Sequence, residues 1–206
     1  MEQKKCMGVE KLSDNRFLNL YHIDARTVSG KPFDYYFASR NQENEIKIKT
    51  RETRAEGIVI YPVWKEDKEK LVMIKQYRYP LDAYVYEFPA GLIDPGENKD
   101  ITAVREMKEE TGLDFEVYQG GNESFRNPFF IGPGFTDESD AAVFGYASGT
   151  VSKRDREDTE SLEVILVDKA EAKRILKEER VCLRAAFLLM QFLQMEKENP
   201  FAFLDV

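Results

Sequence analysis

GLIDPGE (91–97), then seven residues, then REMKEETGL (105–113) is the stretch that decides the reading of this chain. No glycine or proline interrupts Asp100 to Thr111, and Gly112 stands where a helix would stop. At about 100° per residue, Glu106, Glu109 and Glu110 fall within an arc of roughly 100°, and Ala103, Val104 and Met107 form an apolar stripe centred roughly 120° away. Such a helix can bury one flank and gather three carboxylates on the other. Like charges at these spacings cost about 0.2–0.5 kcal/mol per pair, and the single Arg105 cannot neutralise three glutamates plus Glu97. A divalent cation can. Oxygen donors without thiol or imidazole point to Mg²⁺, with Mn²⁺ as the alternative.

The rest of the composition narrows the chemistry further. Thirty basic against 38 acidic side chains give a formal charge of −8 over 206 residues, which argues against a coat for nucleic acid or an anionic membrane. The sole histidine, His22, has no motif around it, so multi-histidine metal sites are excluded and a histidine-based nucleophile site would need His22 itself. Neither a GxxxxGK[ST] loop nor GxGxxG is present. Cys6 and Cys182 are too few for a disulfide framework and fit free thiols in a reducing cytoplasm. The start MEQKKCMGVEKLSDNRF is charged, and no stretch approaches the ~18 apolar residues of a membrane span.

Along the chain, residues 1–55 read as short alternating strands, with a hairpin turn at Ser29-Gly30-Lys31-Pro32 and a strand-like IKIK at 46–49. From 56 to 206 the pattern is mixed. GIVIYPVW (57–64) and LVMIKQYRYP (71–80) form an antiparallel pair, and YVYEFPAG (84–91) is a third strand. Strand-like pieces follow at FEVYQGG, FFI (129–131), DAAVFGYAS (140–148) and SLEVILV (161–167). KAEAKRILKEE (169–179) and VCLRAAFLLMQFLQMEK (181–197) are helical, the latter apolar nearly all round and so destined for a core or a subunit interface. The final PFAFLDV is expected to pack on a partner or fray.

Nine specified positions of the opening stretch match the Nudix box, G-x5-E-x7-R-E-U-x-E-E-x-G-U with U apolar, without a departure: Gly91, Glu97, Arg105, Glu106, Met107, Glu109, Glu110, Gly112 and Leu113. The resemblance implies an α+β protein with a Nudix-like α/β/α sandwich and mixed sheet, preceded here by a small N-terminal antiparallel β unit. It also implies a metal-dependent hydrolase of nucleoside diphosphates linked to another moiety. By carry-over, Glu106 and Glu110 are the principal metal ligands, Glu109 a further one, and the carbonyl of Ala90 an additional donor. Glu97 and Arg105 form a structural pair, and Gly91 and Gly112 serve as turn and cap.

EFPAGLIDPGE (87–97), KQYRYP (75–80), Pro128 and GPGFTDES (132–139) further resemble ADP-ribose pyrophosphatases. In that subfamily a loop glutamate, matched here by Glu138, contributes to water activation or metal binding, with Asp137 and Asp140 as neighbouring alternatives. Glu109 and Glu110 share the catalytic assignment with Glu138. Glu87 matches an acid facing the substrate and Arg78 an arginine on the diphosphate. Arg40 is the further diphosphate candidate, with Arg51 and Arg54 competing for that role. The N-terminal unit is expected to bind the base and to form a homodimer. Its cluster Phe33, Tyr35, Tyr36 and Phe37 places Tyr35 and Phe37 on one face and Tyr36 on the other. The stacking residues of some relatives are tryptophans, whereas the only one here, Trp64, lies elsewhere. The expected reaction is Mg²⁺-dependent hydrolysis of ADP-ribose to AMP and ribose 5-phosphate. A GDP- or UDP-sugar as substrate, or an ADP-ribose-sensing domain without hydrolysis, are the alternatives.

Overall fold

The computed structural model describes residues 4–154 and 159–205, so the opening MEQ and the final Val206 quoted above lie outside the described residues. In chain order the strands and helices are β1 (Cys6–Lys11), β2 (Asn19–Arg26), β3 (Pro32–Ser39), α1 (Lys47–Thr50), β4 (Gly57–Trp64), β5 (Leu71–Arg78), β6 (Ala83–Glu87), β7 (Ala90–Leu92), α2 (Lys99–Glu106), β8 (Asp114–Val117), β9 (Phe129–Phe130), β10 (Ser139–Ser148), β11 (Leu162–Val167), α3 (Lys169–Glu178) and α4 (Leu183–Gln194). The chain divides into two compact units: Met1–Glu56 with Pro128–Asp140, and Gly57–Asn127 with Ala141–Val206.

The first unit is built on a three-stranded sheet in the order β1-β2-β3, antiparallel throughout. The β2–β3 hairpin turns at Gly30, whose φ of +83° suits a residue without a Cβ. Cross-strand partners Tyr21 and Phe37 stack at 5.2 Å and close a small core with Ile46. The alternating IKIK segment is not a strand. Ile46 accepts from the N–H of Lys49 and of Thr50, making the single helical turn α1. Burial overrides the period here: Lys47, which alternation would turn outward next to Ile46, is buried beside it.

The second unit carries the larger sheet, in the order β11-β5-β4-β10-β8, with β6 on β5 and β7 on β4. Most pairings are antiparallel. The β4–β10 pair runs parallel, since Glu56 N–H bonds Ser139 O at one end and Lys65 N–H bonds Ala147 O at the other. The sheet is therefore mixed, as expected. Helix α2 packs against β4, β7 and β8, α3 against β11 and α4, and α4 against β6. Helix α4 turns Ala185, Leu189 and Phe192 into the core and leaves Leu183, Phe187 and Met190 exposed. Residues 200–205 do not fray but pack into their own unit: Phe201 and Leu204 are buried, and Phe201 stacks on Tyr118 at 4.5 Å. Four aromatic rings around Tyr61, namely Phe88, Phe144, Phe201 and Phe203, explain the anchoring.

Candidate active site

Helix α2 begins at Asn98, whose side-chain oxygen accepts from the N–H groups of Asp100 and Ile101 at 3.0 Å each. Beyond Glu106 the backbone widens into a π turn over Met107–Thr111, held by the Thr111 hydroxyl donating to the Met107 carbonyl. Gly112 ends it at φ +77°, where an added Cβ would also lie 2.5 Å from the Ser152 backbone. The regular α geometry assumed from sequence set three glutamates on one flank. In the wide turn Glu110 is instead only 2% exposed, while the Glu109 side chain is 42% exposed.

Arg105 serves as the local counter-ion. It donates to Glu97 through Nε and Nη2 at 3.0 Å, and through Nη1 to Glu106 at 2.8 Å and Glu109 at 2.9 Å. Nη2 also reaches the Leu92 carbonyl at 3.0 Å, tying the helix to β7. Glu97 additionally accepts from the Thr102 hydroxyl, and these bonds, chiefly that from Arg105, hold its carboxyl below the usual range. Glu106 behaves oppositely. Burial outweighs the Arg105 bond and pushes its carboxyl up to about 7. Glu110 is raised well above its ordinary value by burial first, then by the charges of Glu106 and Glu160. Its Oε2 accepts the Ala90 N–H at 3.3 Å.

Gly91 lies in strand β7 opposite Ile58, not in a turn. Its role is space: an added Cβ would lie 2.0 Å from the Glu106 carboxyl carbon and Oε1. Among the described residues no group of three Asp, Glu, His or Cys side chains is placed to hold a metal ion, and Glu109 is turned onto Arg105 instead. The donor chemistry nonetheless fits a hard divalent cation. Glu106 and Glu110 are desolvated, mutually repelling carboxylates, and the Glu106 carboxyl sits in the space that Gly91 leaves. Glu160 is the functional candidate that sequence reasoning missed. Standing ahead of β11, it raises both carboxyls by its charge, and no local motif marks it.

In the same unit Arg78 grips buried Glu87 with both Nε and Nη2, at 2.6 and 2.9 Å. The other predicted residues lie in the first unit. Arg40 Nε donates to Glu138 Oε1 at 3.0 Å. Tyr35 donates its hydroxyl to the Gly134 carbonyl at 2.6 Å, and with Phe37, Phe130 and Pro133 it lines a cavity of about 230 Å³. Tyr36 leaves from the other face, against the His22 ring. Arg51 is an exposed, left-handed cap at the end of α1, and Arg54 is bonded to Asn41 at 2.7 Å. Cys6 and Cys182 are free thiols. No helix among the described residues is long and apolar enough to cross a membrane.

Comparison with known proteins agrees with this geometry. The NUDIX domain family matches residues 53–186, and the chain belongs to that family as a Nudix hydrolase. A methanol dehydrogenase activator of Bacillus methanolicus is 28% identical over 76% of this chain and 85% of its own. The ADP-ribose pyrophosphatase of Bacillus subtilis is 29% identical over 82% of this chain and 89% of its own. The crystal structure of an ADP compounds hydrolase superposes with a TM-score of 0.68 at 22% identity, covering 93% of this chain and 95% of that one, which establishes the shared fold.

Proposed function

We propose that this Nudix hydrolase cleaves the diphosphate of ADP-ribose to AMP and ribose 5-phosphate with Mg²⁺, Mn²⁺ being the alternative ion. The observation that carries the reading is the Glu106–Glu110 pair, two desolvated carboxylates of which Glu106 fills the space left by Gly91. The similarity to an ADP-ribose pyrophosphatase over most of both chains supports the substrate class. When bound by Glu106 and Glu110, with Glu109 and the Ala90 carbonyl as further donors, the cation supplies positive charge against the diphosphate and lowers the pKa of water.

The chain's own groups do the rest. The Arg78 fork rests on Glu87 through Nε and Nη2, and Arg40 rests on Glu138 through Nε; a guanidinium suits phosphate oxygens equally well, so to each of the two arginines we assign a diphosphate contact. To Glu138 we assign the proton of the attacking water, since an ionised carboxylate is a competent general base. Tyr35 is assigned to the base, and a homodimer in a reducing cytoplasm completes the reading.

Product analysis in ¹⁸O-water with ADP-ribose, GDP-mannose and UDP-glucose tests it. AMP and ribose 5-phosphate should form fastest from ADP-ribose, and Glu110→Gln should lower kcat about a hundredfold or more in a folded protein. Preference for another nucleoside diphosphate sugar, or an unchanged Glu110→Gln rate, overturns the assignment.

A further inference from the structure

We infer that Lys47 is a positioning residue for Glu138, acting through the two residues that flank it; this rests on the reading that Glu138 receives the proton of water. The Lys47 backbone N–H donates to Asp137 Oδ2 at 2.9 Å, and its Nζ donates to Ser139 Oγ. Glu56 closes the grip, its Oε2 accepting both Lys47 Nζ at 2.6 Å and the Ser139 N–H at 2.9 Å. The Lys47 and Glu56 side chains are each 8% exposed, and Ser139 is fully buried. Ser139 also donates its hydroxyl to the Arg54 carbonyl at 2.8 Å.

Neighbouring side chains on an extended chain leave on opposite sides. With Asp137 and Ser139 bonded to one lysine, Glu138 between them turns to Arg40. Stability alone does not call for this arrangement, because an apolar pair of equal volume generally replaces a buried ion pair without loss. What the charged pair adds is a single defined direction for the Glu138 carboxylate.

The test is the double substitution Lys47→Met with Glu56→Gln, which removes both charges of the pair together, and separately the milder Ser139→Ala. Each is made in the parent and in a Glu138→Gln background, with folding checked by circular dichroism and kcat and KM measured at saturating Mg²⁺. In the parent, kcat should fall about ten- to a hundredfold with KM little changed. In the Glu138→Gln background the same substitutions should cost no further kcat. Equal losses in both backgrounds, or unchanged kcat in the folded variants, overturn the inference. A fully active Glu138→Gln enzyme overturns the reading beneath it instead.

Discussion

Arg105 has five N–H donors in a planar fork and uses them on Glu97, Glu106, Glu109 and a carbonyl, so little of its charge is left for Glu110. Burial, which that distribution offsets only in part, sets the protonation of the site. Glu106 is pushed up to about 7 and Glu110 well above the ordinary carboxyl value of 4.5, so without metal the folded protein holds protons that the unfolded chain has released. Stability of the metal-free enzyme should therefore fall as pH rises from about 4.5 through about 7. A cation prefers the ionised pair, so its benefit should grow across the same window. Thermal melts with saturating Mg²⁺ should show almost no shift at pH 5 and about 5 °C or more at pH 8. The double variant Glu106→Gln/Glu110→Gln should respond equally little at both. An Mg²⁺ shift independent of pH would remove these carboxylates from the metal site.

The run from Gly91 to Leu113 shows both how far local sequence reaches and where it stops. Spacing reveals a helix, its acidic flank and its glycine end, because those depend on neighbours in the chain. It does not reveal the π turn, which depends on Thr111 bonding back to Met107 and on burial of Met107 and Glu110. Gly91 shows the same limit. A glycine before a proline-containing loop reads as a turn, yet it lies in β7 facing Glu106 across packed elements. IKIK fails for the related reason that Lys47 is drawn inward by Glu56. Gly91→Ala should leave the protein folded, since the Cβ meets the flexible end of a side chain. The displaced Glu106 should then raise the Mg²⁺ concentration for half-maximal activity about tenfold or more. An unchanged metal titration would show that β7 leaves Glu106 more room than the geometry indicates.

Across the whole chain, composition and alternation were enough to expect a small β-rich unit ahead of a mixed α+β one, and the mixed sheet came from the resemblance to the Nudix box. They were silent on which distant segments meet. The charge of Glu160 raises Glu106 and Glu110 from far along the sequence, and residues 200–205, which read as a tail, supply part of the second unit's core. Phe201 is 1% exposed and contacts Tyr61, Tyr118, Phe144 and Tyr146. Phe201→Ala should destabilise that unit by about 3–5 kcal/mol, read from urea unfolding. A loss below about 1 kcal/mol would mean the aromatic cluster collapses to fill the space.

The two units are interleaved along the chain, each built from two separate segments with Pro128–Asp140 belonging to the first. As the chain leaves the ribosome, the first sheet can pair early, but Lys47 meets its partners at 137 and 139 only after all of the second unit's leading segment has emerged. Phe201 arrives later still, so Tyr61 and Phe144 stay open to water, and to chaperones, through much of translation.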